Sequence, residues 1–453
     1  MSTSAKQTID LTSASLNDWL EHLLAIHPAE IDMGLGRVSQ VASKLGIDKL
    51  PNSQVITVAG TNGKGTTCAM LESILRQAGK SVGVYSSPHI NHFNERIRVN
   101  QQDVSDELII EAFQAIEQAR GDITITYFEF ATLAGLYVFG KTQPNVVLLE
   151  VGLGGRLDAT NLIDSDATII TAIDLDHQEY LGDTREDVGR EKAGVMRANC
   201  LSIIGEPDLP ESVMAVAKDI GSLVRRVGHD FSYQLNEVNP GETLPYDERR
   251  LNDGHSWRFS SASAEYHQLP VPSLPLPNAA SALALISEFW PEITFEQITQ
   301  GFAKATLSGR IEQVSEQPVI LLDVAHNPHA ARYLAAQLQR YQAQGMNIRA
   351  ICGMLKDKDI ASVLACFDGV ISHWDMVSLD NPRGATANEL TAALQSCDLK
   401  QQVSLNQFDS MELAWQSMVT SVSSSDSQAN ELIIVFGSFF TVAAFQACFQ
   451  SMP

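Results

Sequence analysis

The sequence predicts an α/β protein with two domains, of which the N-terminal one contains a parallel sheet. Three observations support this class. From about residue 55, short apolar runs alternate with amphipathic stretches, which is the pattern of parallel α/β units. A second series of the same kind opens at Val319. The 453 residues also provide enough material for roughly two to three domains of about 100–200 residues each.

The first series begins with a strand at Gln54–Ala59, which ends in a glycine-rich turn. A helix is predicted at Thr66–Gln77, because its apolar residues recur on one face. Further strands are predicted at Ser81–Tyr85, Asn145–Leu149 and Ala167–Ile173. These segments are rich in Val and Ile and almost wholly apolar, as burial on both faces of a parallel sheet requires.

The middle of the chain, from about Ser202 to Tyr266, has a less regular pattern, with one αβ unit followed by a polar stretch that contains alternating strand-like pieces. Gln268–Pro277 then contains four prolines in ten residues, which excludes a helix or a central strand. We therefore expect an extended connection there, leading into a helix at Asn278–Phe289.

The second series contains four predicted strands, each followed by helical periodicity, and it indicates a smaller, Rossmann-like C-terminal domain. The strands are Val319–Val324, Ile348–Gly353, Gly369–Val377 and Leu432–Phe436. Gly309 interrupts the pattern before them, so we predict domains at residues 1–307 and 308–453.

Composition excludes several classes of partner. The chain has 31 Lys and Arg against 54 Asp and Glu, a net charge of −23, which argues against generic binding to nucleic acid or anionic membranes. No apolar window is long enough to span a membrane, and Met1–Lys6 does not open a signal peptide. The six cysteines are scattered, as in reduced cytosolic proteins. We expect a soluble cytoplasmic protein.

A candidate phosphate loop lies between the first strand and the first helix of the series. Its sequence is Val-Ala-Gly-Thr-Asn-Gly-Lys-Gly-Thr-Thr over residues 58–67. The glycines let backbone N–H groups face an anion, and Lys64 could reach phosphate oxygens. The strict pattern G-x-x-x-x-G-K-[ST] fails at Val58 and Gly65, however. An ordinary glycine-rich turn with a solvated lysine is the alternative.

Three residues that could bind a hard cation follow predicted strands. They are Ser87, Glu150 and His177, the last within the run Asp-Leu-Asp-His. Each has a simpler explanation as a turn, loop or surface residue. Because ligands of open α/β sheets bind beyond the carboxyl ends of the strands, their shared position beside the phosphate loop favours a Mg²⁺ site.

Other runs are dense in residues that could act in a site. Glu150–Asn161 combines three glycines with Arg156, Asp158 and Asn161, which suits a loop that holds a ligand closely. Composition alone favours a solvated helix face for Lys192 in the charged helix at 185–197. In the second domain, Asp323, His326 and Asn327 follow a strand, and Arg310 lies at the predicted boundary, where it could move onto a nucleotide or simply join the domains.

Taken together, these motifs resemble the folylpolyglutamate synthase/dihydrofolate synthase family of Mur-type ATP-dependent amide ligases. The resemblance runs from about Ile31 to Ala444. The matching motifs are GTNGKGT (60–66), SSPHI and FNERI (within 86–97), YFEF with the threonine at 132, EVGLGGRLDATN (150–161), DH and LG (within 176–182), GREKAG (189–194), DVAHNP (323–328) and FGS (436–438).

The resemblance implies a role for each matching residue. The ATP contacts would be Gly60, Thr61, Asn62, Gly63, Lys64, Gly65, Thr66, Asn278, Arg310 and Asp323. The metal ligands would be Ser87, Glu150, His177 and Lys192. The pterin substrate would contact Met33, Gly34, Leu35, Gly36, Thr126, Tyr127, Phe128, Glu129, Leu157, Asp158 and Ala159.

The resemblance also implies that Lys64, Lys192 and His326 act in catalysis. Lys64 would contact the γ-phosphate, and His326 would help to orient the incoming glutamate. Lys192 would be carbamylated to bind a second Mg²⁺, which reverses the interpretation from composition.

The implied reaction uses ATP to convert a substrate carboxylate into an acyl phosphate, which the amine of L-glutamate then attacks. The full set of pterin motifs favours action on both dihydropteroate and reduced folates. A cell-wall Mur ligase is one alternative, although only about 55 residues precede the phosphate loop, too few for an additional α/β domain. A nucleotide-dependent switch is another, and it would hydrolyse ATP slowly without pterin or glutamate.

Overall fold

The computed structural model describes residues 11, 13–27, 31–236, 256–399, 402–423 and 430–451. The start of the chain at Met1–Lys6 and part of the predicted polar stretch, residues 237–255, therefore lie outside the described residues. The chain forms two compact units, Met1–Ala305 and Thr306–Pro453. This division falls two residues before the predicted boundary.

The first unit contains, in its described residues, an eight-stranded sheet of order β4-β3-β2-β5-β1-β6-β7-β8. The six strands from β2 to β8 in this order are parallel, whereas β3 and β4 form an antiparallel extension at one edge. The strands are β1 (Gln54–Ala59), β2 (Val82–Tyr85), β3 (Ile97–Val99), β4 (Gln102–Asp103), β5 (Val146–Glu150), β6 (Ala167–Ile170), β7 (Leu201–Ile204) and β8 (Leu223–Arg226).

The helices of the first unit cover this sheet and bury the apolar residues of its central strands. Several of them begin with a side chain that accepts a free backbone N–H group, as Thr126 does for α5. The helices are α1 (Leu16–Ala25), α2 (Gly36–Leu45), α3 (Lys64–Gln77), α4 (Asp106–Arg120), α5 (Tyr127–Thr142), α6 (Gln178–Leu181), α7 (Arg185–Ala193), α8 (Glu211–Ile220), α9 (Leu276–Phe289) and α10 (Phe295–Lys304).

Helix α3, which follows the candidate phosphate loop, is held by a close approach of α10. A Cβ atom on Gly301 of α10 would lie 2.6 Å from the Cα atom of Ile74 and 2.5 Å from its Cγ1 atom. The hydroxyl of Ser73 also donates a hydrogen bond to the carbonyl of Gly301, at 2.7 Å. Glycine at position 301 therefore lets α10 fix the position of α3.

We expect Gly301→Ala to lower the free energy of unfolding by about 1–3 kcal/mol, because the new methyl group forces the two helices apart. This loss exceeds the gain of about 1 kcal/mol that alanine brings to a helix interior. Urea unfolding monitored by circular dichroism measures the change. Gly140→Ala in α5 is the matched control, since its Cβ would meet only Ile47 Cγ2 at 3.8 Å. Equal stability of both variants would contradict the prediction.

A three-stranded antiparallel sheet of order β11-β10-β9 follows among the described residues, in the region where the sequence showed only alternating strand-like pieces. Its strands are β9 (Phe231–Leu235), β10 (Ser256–Ser261) and β11 (Glu265–Pro270). The expected extended connection at Gln268–Pro277 is wrong at both ends. Pro270 ends an edge strand, where proline is tolerated, and Pro277 lies in the first turn of α9, where a missing N–H group costs no helical hydrogen bond.

The second unit contains a six-stranded sheet, among the described residues, of order β12-β13-β17-β14-β15-β16. All pairs are parallel except β12 with β13. Its elements are β12 (Glu312–Glu316), β13 (Val319–Asp323), α11 (Pro328–Ala343), β14 (Asn347–Cys352), α12 (Ile360–Ala365), β15 (His373–Val377), α13 (Ala387–Ser396), β16 (Ser404–Phe408), α14 (Met411–Ser423), β17 (Glu431–Phe436) and α15 (Phe439–Gln450).

The two-domain α/β class is confirmed, with one correction to the sheets. Both main sheets are mixed rather than wholly parallel, because β3, β4 and β12 return antiparallel at their edges. These strands are short and partly exposed, so they lack the continuous apolar runs that predicted the others. Among the described residues, no helix combines the length and apolar character needed to cross a membrane.

Candidate active site

The candidate phosphate loop is fixed to the segment that follows the neighbouring strand β6. The Thr171 hydroxyl donates to the Asn62 carbonyl at 2.6 Å, and the backbone N–H of Thr61 donates to the Ala172 carbonyl at 2.8 Å. A Cβ atom on Gly60 would lie 1.9 Å from Thr171 Oγ1, so only glycine fits there. These contacts fix the shape of the loop.

Lys64 and Asn278 lie on either side of this loop. Lys64 Nζ donates to the carbonyl oxygens of Gly60 and Thr61, at 3.0 and 3.4 Å. Asn278, from the first turn of α9, donates through Nδ2 to the Thr66 hydroxyl at 2.8 Å. Gly63 adopts a left-handed φ of 86°, and a Cβ there would lie 2.6 Å from the Asn278 amide. The structure thus brings Asn278 to the loop, although 212 residues separate it from Thr66.

We expect Asn278→Ala to raise KM for ATP about fivefold, since the loss of one hydrogen bond to the loop costs about 1 kcal/mol. The kcat value should change much less. Steady-state kinetics with varied ATP measure the effect, and Ser287→Ala, which removes a hydroxyl later in the same helix, is the control. An unchanged KM for ATP would show that Asn278 does not support the nucleotide site.

The predicted metal ligands follow strands that are consecutive in the sheet. Ser87 comes after β2, Glu150 ends β5, the phosphate loop follows β1, and His177 comes after β6. Glu150 pairs in register with Val58, directly before the loop. The backbone N–H of Ser87 lies 3.4 Å from Glu150 Oε2, which brings these two residues together.

His177 is more exposed than the other two residues. It has a left-handed φ of 47° before α6, and its side chain is 42% exposed, with Nε2 at 3.8 Å from Asp176 Oδ2. Two hydrogen bonds of 3.0 Å between the Thr61 hydroxyl and the backbone of Asp174 fix the preceding turn to the phosphate loop. Sequence analysis missed Thr171 and this role of Thr61, because threonines near strand ends carry no distinct signal.

These residues fit a hard divalent cation that keeps part of its water shell. Glu150 provides a buried carboxylate, Ser87 a hydroxyl and His177 an imidazole. Within the described part of the chain, no group of three or more His, Cys, Asp or Glu side chains is arranged to hold a metal ion. Mg²⁺ needs only one or two protein carboxylates and takes its other oxygens from water and phosphates, so this sparse donor set suits it.

Lys192, in the last turn of α7, is buried, with a residue exposure of 3%. Burial and the nearby charge of Lys64 lower its pKa to about 7, while Asp176 and Asp158 act in the opposite direction. The composition-based interpretation of Lys192 as a solvated residue is therefore wrong. A lysine in this environment is neutral for much of the time near physiological pH, which makes its amine nucleophilic.

The glycine-rich run after β5 packs against α7 and against two of the predicted substrate segments. A Cβ on Gly155 would lie 3.1 Å from the Cα of Lys192. Gly152 faces the Phe128 ring, with its Cβ position 2.4 Å from Cζ, and the Gly154 Cβ position lies 3.4 Å from Met33 Cε. The glycines thus allow the backbone to approach Met33, Phe128 and Lys192 together.

Two acidic residues of these segments accept hydrogen bonds from backbone N–H groups. Asp158 is buried and accepts hydrogen bonds from the N–H groups of Gly152, Leu153 and Thr160. Burial raises its pKa, and these bonds oppose the rise. Glu129 accepts the N–H of Thr126 at 2.7 Å in the cap of α5. Leu157 and Ala159 flank Asp158, Tyr127 follows Thr126, and Gly34, Leu35 and Gly36 lead into α2.

In the second unit, the predicted residues cluster at the carboxyl end of β13. Asp323 is buried and accepts the N–H groups of Ile311 and Ala325, at 3.0 and 2.7 Å. Burial raises its pKa, against the effect of Arg310. The Arg310 guanidinium lies 5.1 Å from the centre of the Phe439 ring, and His326 Nδ1 lies 2.8 Å from the Val324 carbonyl.

Gly65 of the first unit lies within the first turn of α3.

Known protein families match both units of the chain. Residues 58–202 match the Mur ligase middle domain, and residues 309–439 match the Mur ligase glutamate ligase domain. The chain is 44% identical over 431 residues to the dihydrofolate synthase/folylpolyglutamate synthase of Escherichia coli K12, covering 95% of this chain and 94% of that protein.

Solved structures extend this similarity to the fold. Escherichia coli FolC in complex with DHPP and ADP is 43% identical and superposes with a TM-score of 0.86, covering 97% of this chain and 98% of that one. The Yersinia pestis bifunctional folylpolyglutamate synthase/dihydrofolate synthase with AMPPNP and Mn ion is 43% identical, with a TM-score of 0.85 and coverage of 98% and 100%.

The candidate phosphate loop lies at the carboxyl ends of the parallel strands. Together with the two matched domains, this position defines an ATP-dependent ligase of the Mur type. Within that class, the sequence identity of 44% over 95% of the chain decides which family the chain belongs to. The chain belongs to the dihydrofolate synthase/folylpolyglutamate synthase family.

Proposed function

We propose that this enzyme adds L-glutamate to dihydropteroate and to reduced folates, with ATP as the energy source. One observation carries the proposal most strongly. The candidate phosphate loop lies between Glu150 and the segment leading to His177. Lys192 is buried nearby, and the charge of Lys64 lowers the pKa of Lys192. Family membership supports the choice of a pterin carboxylate and glutamate as the substrates joined.

In the proposed reaction, the substrate carboxylate attacks the γ-phosphorus of ATP, and the bond to ADP breaks. The acyl phosphate that forms is attacked by the glutamate amine, and phosphate leaves as the amide forms. Residues 60–66 bind the phosphates through backbone N–H groups, and Lys64 leaves the Gly60 and Thr61 carbonyls to neutralise the transferring group. A bound Mg²⁺ would supply further neutralisation of phosphate charge, held by Ser87, Glu150 and His177.

We propose that Lys192 is carbamylated and provides a carboxylate for a second Mg²⁺. Its burial and the backbone contact with Gly155 hold it at one place, and its lowered pKa supplies the neutral amine that attacks carbon dioxide. The new N–C bond forms as the amine loses a proton, and the lysine changes from a potential cation to an anion.

The remaining roles extend to the pterin and to the second unit. Met33, Phe128 and residues 157–159 would contact the pterin, which their convergence on the glycine-rich run supports. Arg310 and Asp323 would contact the nucleotide, and His326 would help to orient glutamate. The surroundings of these three residues within their own unit support the assignment, since Phe439 and the Val324 carbonyl fix Arg310 and His326.

We also propose that the enzyme acts as a cytoplasmic monomer without nucleic-acid or membrane partners. The net charge of −23 disfavours polyanions, and the six cysteines, all in the described residues, are free, as in a reducing compartment.

Phosphate release is the direct test of this function. We expect release from ATP only when L-glutamate is present together with dihydropteroate or tetrahydrofolate. Slow release that ignores both substrates would indicate a nucleotide switch instead. If, with glutamate present, only tetrahydrofolate supported release, the enzyme would be restricted to polyglutamylation. If neither pterin supported release and another carboxylate did, the proposed substrates would be wrong.

A further inference from the structure

We infer that Arg37 is a positioning residue that joins two of the segments proposed to bind the pterin. The inference rests on the proposed function, and it deepens it by naming what holds this subsite together. Arg37 lies in the first turn of α2, directly after the loop Met33–Gly36, and it is not itself among the residues proposed to contact substrate.

The guanidinium of Arg37 contacts both sides of the subsite. On the side of the loop, Nη1 lies 2.7 Å from Asp32 Oδ2, and Nη2 donates to the Asp32 carbonyl at 2.9 Å. On the other side, Nη2 lies 3.2 Å from Glu129 Oε1 and 3.4 Å from Oε2. One side chain therefore connects the start of the 33–36 loop to the first turn of α5.

Glu129, the partner of Arg37 on α5, is buried and already accepts a hydrogen bond from the backbone. The Glu129 side chain is 5% exposed, and its Oε2 accepts the Thr126 N–H at 2.7 Å. Its carboxylate is thus shared between the cap of α5 and Arg37, which leaves it little capacity to bind substrate directly. We infer that Glu129 acts through the position of Thr126 and Phe128, and that Arg37 transmits this position to the loop.

The geometry across the subsite shows why the connection matters. Met33 lies beside Gly154 and Phe128 beside Gly152, so both proposed contact residues meet the same glycine-rich run. Loop 33–36 contains two glycines and follows the exposed Asp32, so the contacts of Arg37 add to the packing of Met33 and Leu35 in holding it. An arginine is suited to this task because its planar guanidinium can contact two carboxylates at once, which a lysine ammonium cannot do with the same directionality.

The kinetic test compares Arg37→Ala with wild type, with varied dihydropteroate, ATP and glutamate. We expect KM for dihydropteroate to rise about 10- to 100-fold through misplacement of the loop, while KM for ATP changes by less than about threefold. Arg37→Lys should recover only part of the loss. Lys44→Ala is the matched control, since Lys44 lies on the same helix and donates to the Ala119 carbonyl, outside the two pterin segments.

A second variant and a second readout keep the inference independent of folding and of activity. Asp32→Asn changes an exposed residue and should raise KM for dihydropteroate in the same direction. Hydrogen exchange of the free protein should show faster exchange of the backbone at residues 33–36 in Arg37→Ala but not in Lys44→Ala.

Each outcome bears on a different statement. Unchanged exchange at 33–36, or an unchanged KM for dihydropteroate in both variants, would overturn the role of Arg37. An equal fall in kcat/KM for dihydropteroate, ATP and glutamate would also overturn it, because a positioning residue of the pterin subsite should act selectively on dihydropteroate. Absence of dihydropteroate-dependent phosphate release in wild type would instead contradict the proposed function, and the exchange experiment would still decide whether Arg37 holds the loop.

Discussion

Lys64→Ala is expected to lower kcat for glutamate ligation by about 10²–10³-fold, the loss that follows removal of one preorganised group that stabilises transition-state charge. Lys64 Nζ rests on the Gly60 and Thr61 carbonyls at 3.0 and 3.4 Å, so it lies within the loop that would hold the phosphates. A phosphate-release assay with saturating ATP, glutamate and tetrahydrofolate measures the loss. Ordinary ligation rates in this variant would show that the phosphate-loop assignment is wrong.

The effect of this substitution on stability should be modest. Two hydrogen bonds to partly buried carbonyls are lost, and each contributes about 0.5–1.5 kcal/mol, so the free energy of unfolding should fall by about 1–3 kcal/mol. Lys304→Ala is the control for removal of a lysine cation, because Lys304 Nζ donates to Gln77 at the far end of α3. A large loss of activity in that control would indicate a general electrostatic effect rather than a local one.

Lys192→Ala is expected to lower kcat by about 10²-fold or more, since the proposed carbamate supplies a charged group at the reacting phosphates. Added short carboxylates such as acetate should restore part of the activity by occupying the space that the side chain leaves. Lys218→Ala, on the exposed face of α8, should leave activity unchanged. Full activity of Lys192→Ala without any added carboxylate would exclude the role of Lys192.

The same proposal predicts a pH dependence whose sign follows from the lowered pKa. The neutral amine reacts with carbon dioxide, and its fraction grows as the pH rises through about 7, the pKa of Lys192. Below this pH the ammonium form dominates, so activity at limiting bicarbonate should fall and should recover when bicarbonate is added. Mass spectrometry of the intact protein at high bicarbonate should detect the carbamate, and its absence there would contradict the modification.

The fold was predictable wherever apolar periodicity is strong. Gln54–Ala59 is a strand with the predicted bounds, because a central parallel strand must be apolar on both faces. Strands β3, β4 and β12 were missed, since short edge strands are partly exposed and have mixed composition. Pro277 was misassigned because a proline in a first helical turn cannot be distinguished locally from one in an extended connection.

The sequence by itself determined which residue types are available to the candidate site. Order and spacing of the motifs indicated a phosphate loop, oxygen ligands after strands and a glycine-rich run, and these patterns are local in the chain. Pairing of the strands then makes Ser87, Glu150, the loop and the segment before His177 neighbours along one edge of the sheet.

Only the tertiary structure decided the state of individual groups. Composition treated Lys192 as solvated and could not distinguish Glu129 as a ligand from Glu129 as a partner of Arg37. Packing of the glycine-rich run against α7 buries Lys192 and lowers its pKa, and the fold brings Arg37 within 3.2 Å of Glu129 across 92 residues. The burial and the charge state of a group depend on neighbours that are distant in the chain, and a local sequence pattern does not show which residues those neighbours are.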